Sequence, residues 1–511
     1  MATLITAGLL LLQSIGTNAL PFDNQLNARQ SSLVSCLEAG NVPITISTYS
    51  NYTEYQESYN LRLSYQPAVI TLPVTTDHVS LSVTCAAAAG VKVQAKSGGH
   101  SYGSYSSGGQ DGSLIVDLEN FNTVSLDNST FIATVGGGVR LGNLALGIYN
   151  QGNRALPHGT CPGVGIGGHF LHGGYGHGSR HWGLALDTIV GLDVVLANGS
   201  FVHASTTEYP DIFFAMRGAG DSFGIATTFY LQTEEAPAQL VNFLIDVSAV
   251  LDSVDTATTA FMTLQNWVLT SPLVNGNLSF GLYTEGTSLT ITGWYFGDLS
   301  YFQSTIQPAL LQGFPTPNSA DVTAKDWLDS LLFIEGGSPP GPLAQPLTGY
   351  NSHDTFYAKS LVTKNAEPLT QAAVQSFFDY VINTGRTQSE SWFTIINLYG
   401  GLGSEINQPS NTSSAYSDRD SLWVFQNYGT SGTAAYTQGI TDFVTGLNTA
   451  ITDVQTDGQF SAYLNYLDPM LSKQDAQDLY YGADLAAQLL TIKNTVDPDC
   501  VFWNPQSICA N

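Results

Sequence analysis

The rhythm of apolar and polar positions changes near residue 237, and the change predicts two kinds of architecture. Before it, Ala68–Val74 reads as a strand, Thr76 caps a helix that runs to Gly90, and Val91–Ala95 reads as a second strand, together a β-α-β unit. Leu114–Leu118 and Thr130–Val135 read as strands, Leu141–Gln151 as a helix, and Val190–Ala197 and Ala226–Thr233 as the strands that complete an α+β region. Glu234-Glu235-Ala236-Pro237 marks a boundary. From Ala238 to about Gln459, amphipathic stretches such as Thr256–Leu269 and Leu369–Ile382 interleave with alternation at Leu278–Tyr283 and Leu289–Trp294, the pattern of an antiparallel sheet backed by helices. Gly336–Leu347, rich in Pro and Gly, reads as a surface loop placed to overhang a cleft.

Composition narrows the setting. Leu4–Leu12 is mostly apolar and Thr17-Asn18-Ala19 supplies small residues before Leu20-Pro21, so residues 1–19 read as a secretory signal peptide of an extracellular protein. That run is too short to span a bilayer. Among 511 residues, 41 are acidic and 15 basic, and the net charge of -26 repels phosphate backbones and anionic lipid. Nucleic acid and membranes are therefore poor partners. At 43% hydrophobic and 11% charged, the chain can bury more than one core. Sequons at Asn51, Asn128, Asn198, Asn277 and Asn411 suit glycosylation. An oxidising compartment also changes the meaning of five cysteines, since four in bridges leave one over. If Cys36 pairs with Cys85 and Cys500 with Cys509, the leftover thiol is Cys161.

The candidate chemistry gathers on two glycine-rich loops. His100 rises from Ser97-Gly98-Gly99-His100-Ser101-Tyr102-Gly103, and Cys161 from Gly159-Thr160-Cys161-Pro162-Gly163-Val164-Gly165-Ile166-Gly167-Gly168-His169. Glycine lets backbone N–H groups approach a pyrophosphate, while a thiol and an imidazole are the side chains that bond readily to an oxidised isoalloxazine ring. A doubly anchored flavin follows from that pairing. Two other patterns carry less. Gly163–Gly168 matches G-x-G-x-x-G and Asp187 follows Gly168 by 19 residues, but the polar segment Asn153–Thr160 stands where a dinucleotide fold needs a strand. His158, His169, His172, His177 and His181 suggest a metal by spacing, yet glycine between them gives neither helical alignment nor carboxylates to orient the rings, so they are read as backbone-bonded loop histidines and no metal is expected.

These loops, together with Gly173-Gly174-Tyr175-Gly176, Asp211–Ile225, Tyr463-Leu464-Asn465-Tyr466 and Asn504-Pro505-Gln506-Ser507-Ile508, resemble the berberine-bridge-enzyme-like branch of the vanillyl-alcohol-oxidase flavoproteins, nearly end to end. Within that branch, the segments around His100 and Cys161 are most similar to the secreted oligosaccharide oxidases. The resemblance implies an FAD-binding domain of the vanillyl-alcohol-oxidase (PCMH) type in two parts, residues 31–237 and 459–511, around a substrate domain at 238–458. It implies FAD joined through its 8α-methyl to His100 and through C6 to Cys161, with the backbone of Ser97, Gly98, Gly99, Ser101, Pro162, Gly163, Gly165 and Gly168, and Ile225, along the pyrophosphate and adenine path. Tyr466 matches the general base, Tyr102 and Tyr463 match residues near the sugar, Trp392 corresponds to an aromatic platform, and Asn465 is an amide placed to orient hydroxyls. His172 stands where relatives commonly have glycine, and Asn397 where an acidic residue would help the base.

The implied reaction oxidises the reducing-end C1 hydroxyl of a cello-, xylo-, malto- or chito-type oligosaccharide to a lactone and reduces O2 to H2O2 in a monomeric enzyme. It is coherent on chemical grounds: removing the hydroxyl proton pushes the C–H hydride toward a flavin. Two other readings fit the residues less closely, a flavin oxidase for an alkaloid, aromatic alcohol or secondary metabolite, and a secreted carbohydrate- or metal-binding protein without turnover.

Overall fold

The two strands of the expected β-α-β unit both form, and a third separates them. In the computed structural model, which describes residues 22–336, 341–349, 353–432 and 434–510, Val69–Thr71 and Val93–Lys96 each run parallel to Leu114–Asp117 between them. The segment read as a signal peptide lies outside the described residues. The intervening helix, Thr76–Ala89, is capped one residue earlier than the sequence indicated: the Thr75 hydroxyl accepts from His78 N at 3.2 Å, and Gly90 ends the helix at φ 65°. A disulfide from Cys36 to Cys85 joins this helix to Phe22–Ala39. A second, antiparallel sheet follows in the order Val124–Asp127, Ile132–Gly136, Ile225–Gln232, Ile189–Val195, Phe201–Ala204.

The second architecture is a seven-stranded antiparallel sheet, ordered Ser319–Lys325, Leu240–Asp246, Ser288–Tyr295, Leu278–Glu285, Ser391–Leu398, Ser421–Thr430, Phe356–Lys364. Side chains alternate across a strand, so one face must meet helices if it is apolar. Phe243, Phe280, Ile291, Ile396 and Phe425 face helices Val254–Thr270, Gln371–Asp379 and Gln438–Thr452 in one buried core. The opposite face, with Leu244, Tyr283, Thr292, Ile395, Asn397 and Gln426, looks toward the glycine loops.

After Ser461 the chain returns to the first part, where Ala462, Tyr480, Leu489 and Ile508 share a core with Val135 and Phe229. A second disulfide, Cys500–Cys509, closes this segment. Lys493, fully buried, ion-pairs with Asp497 and donates to Ser222 O and Phe502 O. Arg180 crosses in the other direction: its guanidinium donates to the carbonyls of Leu278, Asn275, Leu402 and Gly400. Arg419 of the second part pairs both its terminal nitrogens with Asp187 of the first, at 2.9 and 2.6 Å. The ribose acid of the dinucleotide-like pattern is thus a structural ion pair. Among the described residues, no helix is long and apolar enough to cross a membrane.

Candidate active site

The open face of the sheet, the two glycine loops and the Tyr463–Leu467 segment surround a cavity of about 1110 Å³. That volume is slightly above the range of small-molecule sites, roughly 300–1,000 Å³. The loops form one wall by backing onto each other. A Cβ on Gly98 would lie 2.1 Å from Gly165 N, and one on Gly165 2.0 Å from Gly98 N, so neither position has room for a side chain. Arg140 locks the pair from behind by donating to Gly98 O at 3.0 Å and Gly163 O at 2.7 Å. Ser97 Oγ donates to Gly137 O at 2.6 Å and accepts from Gly167 N at 3.1 Å.

His100 and Cys161 both line this cavity. Burial, with smaller help from Arg140 and His353, holds the His100 imidazole down at about 3, so the ring is neutral. Cys161 is the free cysteine and opens onto the cavity, while the protein around it desolvates the thiol and pushes its pKa up. Beside the sheet, Tyr102 stacks on Tyr466 with centroids 5.9 Å apart, and Tyr463 meets Tyr466 edge-on at 5.0 Å. Burial drives the Tyr466 phenol well above its usual range, reinforced by Tyr463, Tyr175 and Cys161. Gln426 Nε2 donates to the Tyr102 hydroxyl at 2.7 Å and joins it to the sheet.

Trp392, Ile225, Pro162 and Gly163 lie outside the cavity lining, whereas Asn465 and Tyr463 line it but are already hydrogen-bonded to its wall. Trp392 points to the helix side of the sheet, 6% exposed, with its indole N–H on Gly385 O at 3.0 Å and its ring against Phe443; it cannot be a platform in the cavity. Asn465 spends its amide hydrogens on His169 O at 3.1 Å and the Tyr463 hydroxyl at 2.9 Å, so it braces the wall. The Tyr463 oxygen also accepts from Gly174 N and Tyr175 N, which fixes it as a rigid boundary. Ile225 is buried in the N-terminal core, and Pro162 and Gly163 lie behind the wall, held through their carbonyls by Gly142 N and Arg140. Ser97, Gly98, Gly99, Ser101, Gly165 and Gly168 line the cavity. The histidines disperse: His158 meets Gly159 O, His169 accepts from Gly159 N, His172 meets Gly168 O, His177 meets Ser279 and His181 stacks on Phe296. Among the described residues, no three His, Cys, Asp or Glu side chains converge on a metal site.

The sequence offered no signal for several cavity residues. Tyr59 stacks on His100, and Asp221 meets His172 Nε2 at 3.4 Å. Burial alone would raise the Asp221 carboxyl, but His172, Asn504 and Ser222 together hold it below the usual range. Helix Trp327–Glu335 forms another rim, and the loop after it docks on helix Leu141–Gly152 through paired bonds between Asn143 and Gln345, at 3.0 and 2.9 Å. Of the Pro/Gly run, Gly336 lines the cavity and Gln345 docks on the helix, while residues 337–340 lie outside the described residues.

An elongated cofactor cradle beneath a substrate-facing sheet, with a tyrosine pair between them, defines a flavoprotein oxidoreductase layout. Comparisons agree. Residues 67–205 match the FAD binding domain family and residues 462–509 the berberine and berberine-like family. The chain is 36% identical to the xylooligosaccharide oxidase of Thermothelomyces thermophilus, covering 94% of this chain and 95% of that protein. It is 37% identical to the chitooligosaccharide oxidase of Gibberella zeae, with the same coverage. The structure of xylooligosaccharide oxidase from Myceliophthora thermophila C1 in complex with xylobiose superposes with a TM-score of 0.88 at 36% identity, over 94% of this chain and 99% of that one. A glucooligosaccharide oxidase structure from Acremonium strictum, described as carrying 6-S-cysteinyl, 8α-N1-histidyl FAD, gives 0.86 at 33%, over 93% and 99%. The chain belongs to the berberine-bridge-enzyme-like family of FAD-linked oxidases, in its oligosaccharide-oxidase group.

Proposed function

We propose that this enzyme oxidises the reducing-end C1 hydroxyl of a neutral oligosaccharide to the lactone, with O2 reduced to H2O2, and that His100 and Cys161 both carry the FAD covalently. The observation that carries this reading is the meeting of those two side chains with Tyr466 and the sheet floor in one cavity. The loop geometry fits the cofactor, because Gly98 and Gly165 pack backbone to backbone with no room for side chains while Gly168 faces open cavity space where a phosphate can approach the backbone. When bound, FAD supplies the hydride acceptor and hands the electrons to dioxygen. The protein supplies the rest. Burial keeps the Tyr466 phenol protonated in the protein alone, so it takes the proton from the C1 hydroxyl as a phenolate stabilised by the electron-poor flavin; Tyr102 flanks it, and the wall built on Tyr463 keeps the ring in place.

The floor under the sugar crosses strands in the order Leu244, Thr292, Gly281, Asn397, with Tyr283, Ile395 and Gln426 alongside. Hydroxyls and amides on a flat sheet face suit the edges of neutral sugars, and Tyr283 supplies an aromatic face. Two disulfides and sequons that are exposed at Asn51, Asn128, Asn198 and Asn411, with Asn277 half-buried, support a secreted glycoprotein.

Acid precipitation of the purified protein, followed by peptide analysis, tests the linkage: yellow colour stays with the His100 and Cys161 peptides. In His100→Ala or Cys161→Ala, flavin remains on the other residue. Oxygen uptake with cello-, xylo-, malto- and chito-oligosaccharides tests the reaction, and a protein inert toward all four series would defeat the sugar assignment.

A further inference from the structure

Tyr59 lies before the matched cofactor segment and outside every motif read in the sequence, yet it touches the candidate anchor directly. Its ring stacks on the His100 imidazole with centroids 4.4 Å apart and planes 25° apart. The next residue is sewn to the same loop: Asn60 Nδ2 donates to Tyr102 O at 2.8 Å, and Ser104 Oγ donates to Asn60 O at 3.1 Å. From the other side, Asp354 N donates to Tyr59 O, while the Asp354 carboxylate takes the hydroxyls of Tyr428 and Thr430 on the sheet. The backbone of Tyr59 is thus held from two directions, and its ring is a fixed plate against His100.

We propose that Tyr59 is a positioning residue for flavin attachment, holding the imidazole in the orientation from which a ring nitrogen reaches the flavin 8α carbon. This rests on the covalent reading of His100. In the linking step a nitrogen–carbon bond forms while one methyl C–H and the imidazole N–H break. The two hydrogens and an electron pair reduce the flavin, and dioxygen, the oxidant of the proposed reaction, carries them away as hydrogen peroxide. An imidazole free to turn presents its nitrogen badly most of the time, whereas a stacked one is preorganised. Aromatic pairs of this kind favour one arrangement by about three- to tenfold.

The test compares the parent with Tyr59→Leu, Tyr59→Phe and Tyr59→His. Flavin on the His100 and Cys161 peptides is followed by mass spectrometry after FAD is added to flavin-free protein. The expected result is a His100 linkage rate about three- to tenfold lower in Tyr59→Leu, with Cys161 linkage kept and Tyr59→Phe restored to the parent rate. A parental His100 rate in Tyr59→Leu overturns the proposal, and so does a Tyr59→Phe protein as slow as Tyr59→Leu. Loss of both links in Tyr59→Leu means misfolding, and Tyr59→His, which keeps a flat ring, then decides by restoring the His100 link or failing to. A parent protein without flavin on His100 refutes the covalent reading itself, a result the parent sample gives alone.

Discussion

Two glycines three residues apart separate the stability of the cradle from its ability to hold a cofactor. Gly165 is pressed against Gly98, and an added Cβ would stand 2.0 Å from a backbone nitrogen that has no way to yield. Reaching ordinary contact demands that the loops part by about 1.5 Å, against the two bonds from Arg140 that hold them. Overpacking of this kind costs about 1–3 kcal/mol. Gly168, by contrast, lies in helix Ile166–Leu171, lines the cavity and would place a Cβ with nothing within 4 Å. Gly168→Ala therefore gains about 0.5–1 kcal/mol of helix stability in the flavin-free protein. The space it fills belongs to the cofactor. Losing one close backbone approach weakens FAD by about tenfold, equivalent to about 1.4 kcal/mol. Both substitutions are made in a His100→Ala/Cys161→Ala background, so that affinity is not hidden by covalent bonds. Thermal unfolding and fluorescence titration with FAD then give the two quantities separately. Gly165→Ala should lose both stability and affinity, and Gly168→Ala affinity alone. If Gly168→Ala binds FAD as tightly as its background, the loop does not contact the cofactor and the cradle argument fails.

Further expectations follow from the same geometry. Tyr466→Phe keeps the ring but removes the proton acceptor, so anaerobic bleaching of the flavin by sugar should slow by roughly 10²–10⁴; bleaching at the parental rate would take Tyr466 out of the reaction. His177 is buried and held at about 4 by burial, below the ordinary value of about 6.5. Below pH 6.5 the unfolded chain takes a proton there that the folded protein refuses, so stability drops as pH falls toward 4, by about 2 kcal/mol at pH 5. His177→Gln should flatten the denaturant midpoint against pH over that window, and an unchanged slope would show that His177 titrates normally.

The parts of the site carried by contiguous glycine loops were legible in the sequence, because each loop holds its own spacing and its own reactive side chain. Periodicity also located several of the main strands and helices, with ends displaced by about one to three residues, as at the Thr75 cap and at Val69–Thr71. Trp392 marks where this fails. A strand shows its alternation but not which face turns to the core, and a shift of one residue exchanges the two. Here Phe393, beside Trp392, takes the open face and stacks with Tyr283 at 5.5 Å and Tyr428 at 4.8 Å. Asn465 failed differently: its type was right for a sugar contact, but two local acceptors claim its hydrogens. Tyr59 comes from a segment outside every motif, and Asp221 lies unmarked inside Asp211–Ile225, because each meets a loop distant in sequence and no local pattern announces such a contact.

The register between cradle and floor rests on a cation that has no carboxylate partner among the described residues. Arg180 comes from the segment just after the Cys161 loop, and its guanidinium reaches the carbonyls of Asn275, Leu278, Gly400 and Leu402, which flank two strands of the floor. One of those strands carries Asn397, and the other carries Tyr283. Arg180 is fully buried, and the backbone around it is equally tight: a Cβ on Gly276 would lie 2.8 Å from Arg180 O. A lysine cannot span four acceptors spread over a planar fork, so Arg180→Lys leaves at least one carbonyl unpaired, at about 1–3 kcal/mol each. The loss falls on the junction and not on the glycine cradle, whose own bonds come from Arg140 and Ser97. The expected signature is thus a raised KM for oligosaccharides and a lower unfolding temperature, with peptide-bound flavin still present. An Arg180→Lys protein whose flavin content falls while its remaining flavin-loaded fraction keeps the parental KM would mean that the arginine supports the cradle, and that the floor is held over it by other contacts.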